Sequence, residues 1–423
     1  MNLKIQADIK RLQREIDELA GISQEPPPVV TRVLFSEADL RARAFVKRLF
    51  AEAGLAVRED AVGNIFARWT GRDASAPPVA TGSHIDAIPN AGRYDGVVGV
   101  LGATEAVRAL RRAGFDPERS LDLIVFTSEE PTRFGIGCLG SRMLAGTLDL
   151  KRVASLRDSQ GQSLDELRAE AGLGGKDLGG VRLAPGAYGA FVELHIEQGP
   201  LLERDNRAIG VVTGIAAPST LRLRLTGVGG HAGAVLMPER HDALLAGAEI
   251  ALMVEQAALT SGSPDTVATT GVFRIEPGAV NSVPCRAVLE IDLRDTRLPS
   301  RDAALERIER AAPEICRRRG VDLDLERLNA DAPALCDLAL VQTVEAVCGE
   351  LELSVSRMIS RAYHDSLFMA QICPTTMIFI PCRGGVSHRP DEYSSPEQIR
   401  DGVEALAGTL ARLAGPAITS RTV

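Results

Sequence analysis

The sequence lacks the marks of several large protein classes. Its seven cysteines are odd in number, scattered and never spaced as CxxC, so they do not describe a disulfide framework and read as reduced thiols of a cytosolic protein. No stretch approaches the roughly 20 apolar residues of a membrane span. The N-terminal run MNLKIQADIKRLQREIDEL is charged and amphipathic, without the apolar core and small-residue cleavage site of a secretory signal. A cytoplasmic location is therefore expected. There is no long basic run, and 48 Lys and Arg stand against 56 Asp and Glu for a net charge of -8, which argues against nucleic-acid and anionic-membrane partners. No internal repeat or low-complexity tract stands out. What remains is a chain of 423 residues, 45% hydrophobic and 25% charged, which excludes wholesale disorder and leaves room for two domains with sizeable cores.

Local patterning predicts an α/β order. Ser36 and Asp39 resemble a capping box ahead of Leu40, Ala44, Phe45, Leu49 and Phe50 at helical spacing, so a helix is expected over 36–54. A strand-like NIFARW segment follows. A short buried strand at 79–83 delivers His84 at its C-terminal end, the edge where α/β sheets host ligands. A helix over 96–114, a strand over 121–127 ending in Glu129 and Glu130, and a strand over 191–196 carrying His195 complete this part. After Gly210 the character changes: 219–226 alternates at period two, as a sheet with one wet face should. With a helix at about 240–259, an alternating strand at 287–295 and a helix near 303–319, two strand-helix-strand units form a small α+β insert. The α/β pattern resumes from about Pro333, with a helix near 339–350, a strand at 377–380 and a terminal helix after Ser395.

Only six histidines occur, and each alone reads as readily as a structural residue. Their surroundings make the case. His84 and Asp86 lie two apart, so on an extended chain both face one side, where one could ligate a metal while the other orients it; a surface His-Asp turn is the plainer alternative. Asp95 begins an Ala/Gly/Val-rich helix and alone is an N-cap candidate. Glu129 and Glu130 close a buried strand, where adjacent carboxylates are costly without a cation. One could ligate while its neighbour stays off the ion as a proton shuttle; a solvated acidic loop is the alternative. Glu193, His195 and Glu197 share a strand face. His388 follows two glycines that permit close backbone approach. Together His84, Asp95, Glu130, His195 and His388 supply three imidazoles and two carboxylates, a mixed set suited to Zn, Mn, Co or Ni. Five ligands exceed one tetrahedral zinc, so a two-metal site bridged by a carboxylate is expected.

The segments GSHIDAIPNAGRYDG, TSEEPTRFGIGCLGSRMLAG, ELHIEQGPLLE, GGHAGAVLMP, PGAVNSVP and IDLRDTR occur in this order. From about Arg32 onward the chain resembles the hydantoinase/carbamoylase family of dinuclear-metal amidohydrolases, relatives of metallopeptidases with the same fold. The resemblance implies an α/β protein of two domains: a mixed-sheet, metal-binding catalytic domain over 1–211 and 331–423, and an inserted α+β lid and dimerisation domain over 212–330. It implies two divalent ions per subunit, Mn or Zn, with Co or Ni possible. Asp95 would bridge them, His84 and His195 would complete one site, and Glu130 and His388 the other. Glu129 resembles the general base that takes a proton from the attacking water and delivers it to the leaving nitrogen, and Asp86 the residue behind His84. His231 resembles the lid histidine that stabilises the developing oxyanion, often across a homodimer. Asn281 and Arg294 match positions that bind the substrate carboxylate, and Gln198 matches a substrate contact.

Within the family, the segment 360–369, the IFIPC segment ending at Cys382 and the run 130–135 look most like ureidoglycolate amidohydrolases. His364 is expected near the site, with buried hydrogen bonding to its neighbours as the alternative. Hydrolysis of the ureido C–N bond of ureidoglycolate, giving ammonia, carbon dioxide and glyoxylate, is the leading expectation. N-carbamoyl-L-amino acids and allantoate are the alternative substrates. A non-catalytic binder would have shed Glu129 or a ligand, and peptide hydrolysis finds no evident extended-substrate feature.

Overall fold

The computed structural model describes residues 4–416. It separates into two compact units, one of 4–213, 336–360 and 364–416 and a smaller one of 214–335 with 361–363. The division falls at Gly214 and Leu335 rather than 212 and 330, and the short return at 361–363 is a feature the sequence reading did not include.

The larger unit is built on a mixed sheet. In spatial order its strands are Ile209–Ile215, Thr375–Ile380, Ala190–Ile196, Val79–His84, Leu121–Phe126, Ile65–Trp69 and Ala56–Glu59, with Val355–Ser360 also paired to Ile209–Ile215. The four from Thr375–Ile380 to Leu121–Phe126 run parallel, and the flanking strands are antiparallel. Every residue of those four parallel strands is buried, as expected for a sheet covered on both faces. Leu121, Leu123 and Val125 face a core shared with the Val97–Arg112 and Pro396–Ala414 helices, while Ile124 and Phe126 face a second core with Leu139 and Met143. The predicted helix at 36–54 appears as Glu37–Glu52, capped by the Ser36 hydroxyl on the Asp39 amide. Among the described residues, no helix is long and apolar enough to cross a membrane, and all seven cysteines are unpaired.

The smaller unit has an antiparallel sheet in the order Val267–Glu276, Arg286–Asp295, Ala217–Thr226, Asp322–Ala330. Alternate residues Leu221, Leu223 and Leu225, with Leu289, Ile291 and Leu293, pack against Ile250 and Val254 of helix Ala243–Leu259 and Leu305 and Ile308 of helix Leu298–Arg319. Period-two alternation is the pattern of a sheet covered on one face. Residues of the opposite face carry charge, with Arg222 on Glu290 and Arg224 on Asp324 and Glu326.

One buried cation ties the N-terminal segment of the larger unit together. Arg32 is fully buried, and its guanidinium donates to the carbonyls of Leu19 (2.6 Å), Ile22 (3.0 Å) and Ile85 (2.5 Å). Burial lowers its pKa to about 10. Its strand, Val30–Arg32, pairs with Ala87–Ala91 just beyond His84. Arg32→Ala leaves three carbonyls without their donor and is expected to cost on the order of 3 kcal/mol, read as a lower urea midpoint. Arg32→Lys should recover only part, because a compact ammonium does not reproduce the planar fork. A loss below about 0.5 kcal/mol for the alanine variant, the range of an ordinary surface change, would remove this anchor from the account.

Candidate active site

Three parallel strands end at one edge of the larger unit's sheet, and the donors gather there. His84 closes Val79–His84, His195 stands next to last in Ala190–Ile196, and Glu129 and Glu130 follow Leu121–Phe126. Asp95 precedes the Val97–Arg112 helix but does not cap it with its side chain. Its carboxylate turns to three imidazoles instead: Oδ1 lies 3.5 Å from His84 Nε2 and 3.2 Å from His195 Nε2, and Oδ2 lies 3.3 Å from His388 Nε2. His388 Nε2 is also 3.3 Å from Glu130 Oε1. In two groups, His84, Asp95, His195 and Asp95, Glu130, His388, the ligating atoms all lie within 4.8 Å of one another. The structure thus brings together all five candidate ligands.

The ring orientations explain what such a cluster needs. His84 Nδ1 sits 3.0 Å from the Asp86 carbonyl and His195 Nδ1 2.9 Å from the Ile196 carbonyl. A carbonyl only accepts, so both rings donate from Nδ1, and in the neutral ring Nε2 presents a lone pair. The Gly96 amide donates to His195 Nε2 at 3.2 Å, in keeping with that tautomer. Lone pairs aimed at a carboxylate are repulsive unless a cation lies between them or the rings take a second proton. The electrostatics carry the same demand. Burial draws His84 and His195 down, yet the surrounding carboxylates outweigh it and raise both. Contacts with Asp95 and Glu130 push His388 up to about 10. Burial alone would raise Asp95, but the three imidazoles hold it well below the usual range. This mixture of imidazole and carboxylate donors fits a divalent metal.

The role expected of the Asp86 carboxylate falls to its backbone. The carboxylate is 3.7 Å from His84 Nδ1 and instead accepts the amides of Glu129 (3.2 Å) and Glu130 (3.0 Å). One carboxylate thereby fixes the backbone of both acidic residues. Their side chains then diverge: Glu130 reaches His388, while Glu129 Oε2 lies 3.7 Å from His84 Nε2 and its Oε1 accepts from the Cys138 thiol at 3.6 Å. Burial, reinforced by Glu130, Asp365 and Asp95, pushes Glu129 well above the ordinary carboxylate value. Gly96 is required where it stands: its φ is +66°, and a Cβ there would lie 2.4 Å from His84 Nε2. Ser128, Cys138, Gln198 and His388 also hold positive φ without being glycine, and such backbone outliers concentrate at functional sites.

The remaining candidates divide between the units. Gln198 Nε2 donates to Asp95 Oδ2 at 2.6 Å, and its buried Oε1 has no hydrogen-bond partner. The His364 ring lies 4.5 Å from that of His195, with Nε2 3.0 Å from Ser360 Oγ. In the smaller unit, His231 pairs with Ser282 in a two-residue ladder, and the Asn281 carbonyl accepts the Ala232 amide. Those two residues thus stand on adjoining loops. Arg294 lies apart from that ladder, in Arg286–Asp295, and its fork is engaged by Asp292 at 2.6 and 3.1 Å.

Sequence reasoning missed Cys138, Ser387 and Glu392. Ser387 Oγ is 2.7 Å from Asp95 Oδ2 and 3.0 Å from Glu392 Oε2. Burial, with Asp95 adding to it, raises the Glu392 carboxyl to about 7. Only the His388 loop, read for its glycines, carried a signal that could have led to them.

Comparison with known proteins places the chain in a family. A family model described as peptidase family M20/M25/M40 matches residues 80–412. The ureidoglycolate hydrolase of Oryza sativa subsp. japonica is 53% identical over 410 residues, 96% of this chain and 85% of its own. The crystal structure of AtUAH in complex with glyoxylate is 53% identical, with a TM-score of 0.89 over 97% of this chain and 98% of that one. A hydantoinase/carbamoylase family amidase from Burkholderia multivorans is 33% identical, with a TM-score of 0.85 over 97% and 98%. The chain therefore belongs to peptidase family M20/M25/M40, a metal-dependent family, and within it to the hydantoinase/carbamoylase amidohydrolases.

Proposed function

We propose that this protein hydrolyses the ureido C–N bond of ureidoglycolate, releasing ammonia and carbon dioxide and giving glyoxylate. The observation that carries this reading is 53% identity to a ureidoglycolate hydrolase across almost the whole chain, joined to a donor cluster with no member missing. The glyoxylate bound to AtUAH supports the same product.

In this reading two divalent ions, Mn or Zn with Co or Ni compatible, would be held with Asp95 in common, one by His84 and His195 and the other by Glu130 and His388. Bound there, they would supply Lewis acidity to the ureido carbonyl and lower the pKa of water towards ~7. Glu129 takes the proton of the attacking water on Oε2, the oxygen facing His84, and passes it to the leaving nitrogen. Cys138 holds the other oxygen, and Asp86 keeps both glutamate amides in place, so the base is set by contacts on its backbone and its far oxygen. Gln198 and His364 contact the substrate from the larger unit. The smaller unit is the lid: His231 donates to the developing oxyanion, and Asn281 and Arg294 bind the carboxylate, with Arg294 exchanging Asp292 for the substrate.

The smaller unit also serves dimerisation in this reading. Leu245, Leu252 and Leu259 recur at seven-residue spacing as exposed side chains on Ala243–Leu259, and the edge strand Val267–Glu276 exposes Val267, Phe273 and Ile275. An open strand edge beside an apolar stripe is a ready pairing surface. A cytoplasmic location completes the reading, supported by the unpaired cysteines.

Ammonia release from Mn- or Zn-loaded enzyme is expected to favour ureidoglycolate over allantoate and N-carbamoyl-L-amino acids. Equal or faster turnover of either alternative would overturn the substrate while leaving the metal and base assignments. Glu129→Gln should lower kcat by about 10²–10⁴-fold with metal content unchanged; a smaller loss would take the base role from Glu129. Leu252→Asp combined with Phe273→Asp should convert a dimer to monomers in sedimentation, and a monomeric unsubstituted protein would refute the interface.

A further inference from the structure

Glu392 is a nearly fully buried carboxylate that no part of the proposed chemistry uses. Its contacts join two segments almost three hundred residues apart. Oε1 accepts the amides of Tyr94 (2.8 Å) and Asp95 (3.1 Å), and Oε2 meets the hydroxyl of Ser387 at 3.0 Å. That hydroxyl also reaches Asp95 Oδ2 at 2.7 Å. Gly92 gives the carboxylate its room, since a Cβ at that position would lie 2.4 Å from Glu392 Cβ. One end of Glu392 thus holds the backbone of the residue read as the bridging ligand. The other end holds the residue next to His388.

We propose that Glu392 is a positioning residue that sets the spacing of Asp95 and His388, clamping the 92–95 and 387–392 segments so that the second divalent ion finds its ligands preassembled. The inference rests on the reading of Asp95, Glu130 and His388 as a metal site. Its physical basis is that a ligand free to wander loses affinity for its ion, and that groups behind the ligands typically contribute 10–100-fold in metal affinity. His84 and His195 are held by other contacts: their rings are fixed by the Asp86 and Ile196 carbonyls. The effect of Glu392 should therefore fall chiefly on the ion held by Glu130 and His388, whose loop it also clamps through Ser387. It acts through geometry, because an amide of the same shape can accept both backbone amides on its oxygen and donate to Ser387 from its nitrogen.

The test is ion content per subunit across Mn²⁺ concentrations set by a metal buffer, measured on the full chain for the unsubstituted protein, Glu392→Ala, Glu392→Gln and Ser387→Ala, with thermal midpoints of the metal-free proteins recorded beside it. The expected result is two ions for the unsubstituted protein. Glu392→Ala should hold one ion tightly and bind the second about 10–100-fold more weakly, and Glu392→Gln should restore most of the loss. Ser387→Ala should show a milder form of the same defect, and it carries the test if Glu392→Ala does not fold. Two ions held at unchanged affinity by Glu392→Ala, whatever its thermal midpoint, would overturn the inference and leave Glu392 a merely structural residue. A glutamine variant as impaired as alanine would overturn the geometric clamp. An unsubstituted protein that holds no ion would instead overturn the metal reading itself.

Discussion

Asp95 is a buried carboxylate encircled by three imidazoles, and the arrangement of the larger unit's sheet edge follows from keeping that charge in place. An isolated buried carboxylate costs several kcal/mol in lost hydration. Here the neutral rings present lone pairs to it, so the charge calls for a cation between them or a second proton on the rings. The rings come from two strand ends and a late loop, so one charge draws together distant parts of the unit. The rings can serve only because their far nitrogens are occupied by the Asp86 and Ile196 carbonyls, which leaves the near nitrogens no freedom of role.

Two adjacent glutamates with separate environments are the second consequence. Identical side chains on consecutive residues differ here through what holds their backbone and what meets their oxygens. Asp86 accepts both amides, and Ser128 before them takes a left-handed turn. The pair then splits, Glu130 to the half-exposed His388 and Glu129 to the enclosed side beside Cys138. A protein that must ligate and shuttle protons with the same chemical group can separate the two duties by direction alone.

Much of this was legible in the sequence, and the unreadable part has a common cause. Buried strands ending in His84 and His195 show themselves because an imidazole after an apolar run is conspicuous. Alternation in 287–295 marks a one-sided sheet wherever it occurs. The Val267–Glu276 strand stayed hidden: it is an edge strand with little burial and a register shift between Thr270 and Val272, so its alternation carries no clear signal. Asp86 stands behind His84 as expected, but spacing places a residue on a face without saying whether its side-chain oxygens or its own carbonyl comes nearer the ring. Asp292 and Arg294, two apart on one strand, could have been read as a pair. Glu392, Ser387 and Cys138 have partners set by tertiary folding, and beyond the glycines of the His388 loop no local pattern points to them.

The strand order of the larger sheet has a bearing on how the chain is made. Thr375–Ile380 lies between Ala190–Ile196 and Ile209–Ile215, so a strand made well after both of its neighbours occupies the interior of the sheet. At about 5–20 residues per second, the nascent chain waits on the order of ten seconds or more with that slot empty. During this interval the smaller unit, whose residues are nearly all contiguous, can fold alone, while the Ala190–Ile196 edge stands open to the wrong strand. Completion of the sheet and delivery of His388 to the cluster follow within a few residues of each other, so the chain gains its last ligand only as that slot is filled.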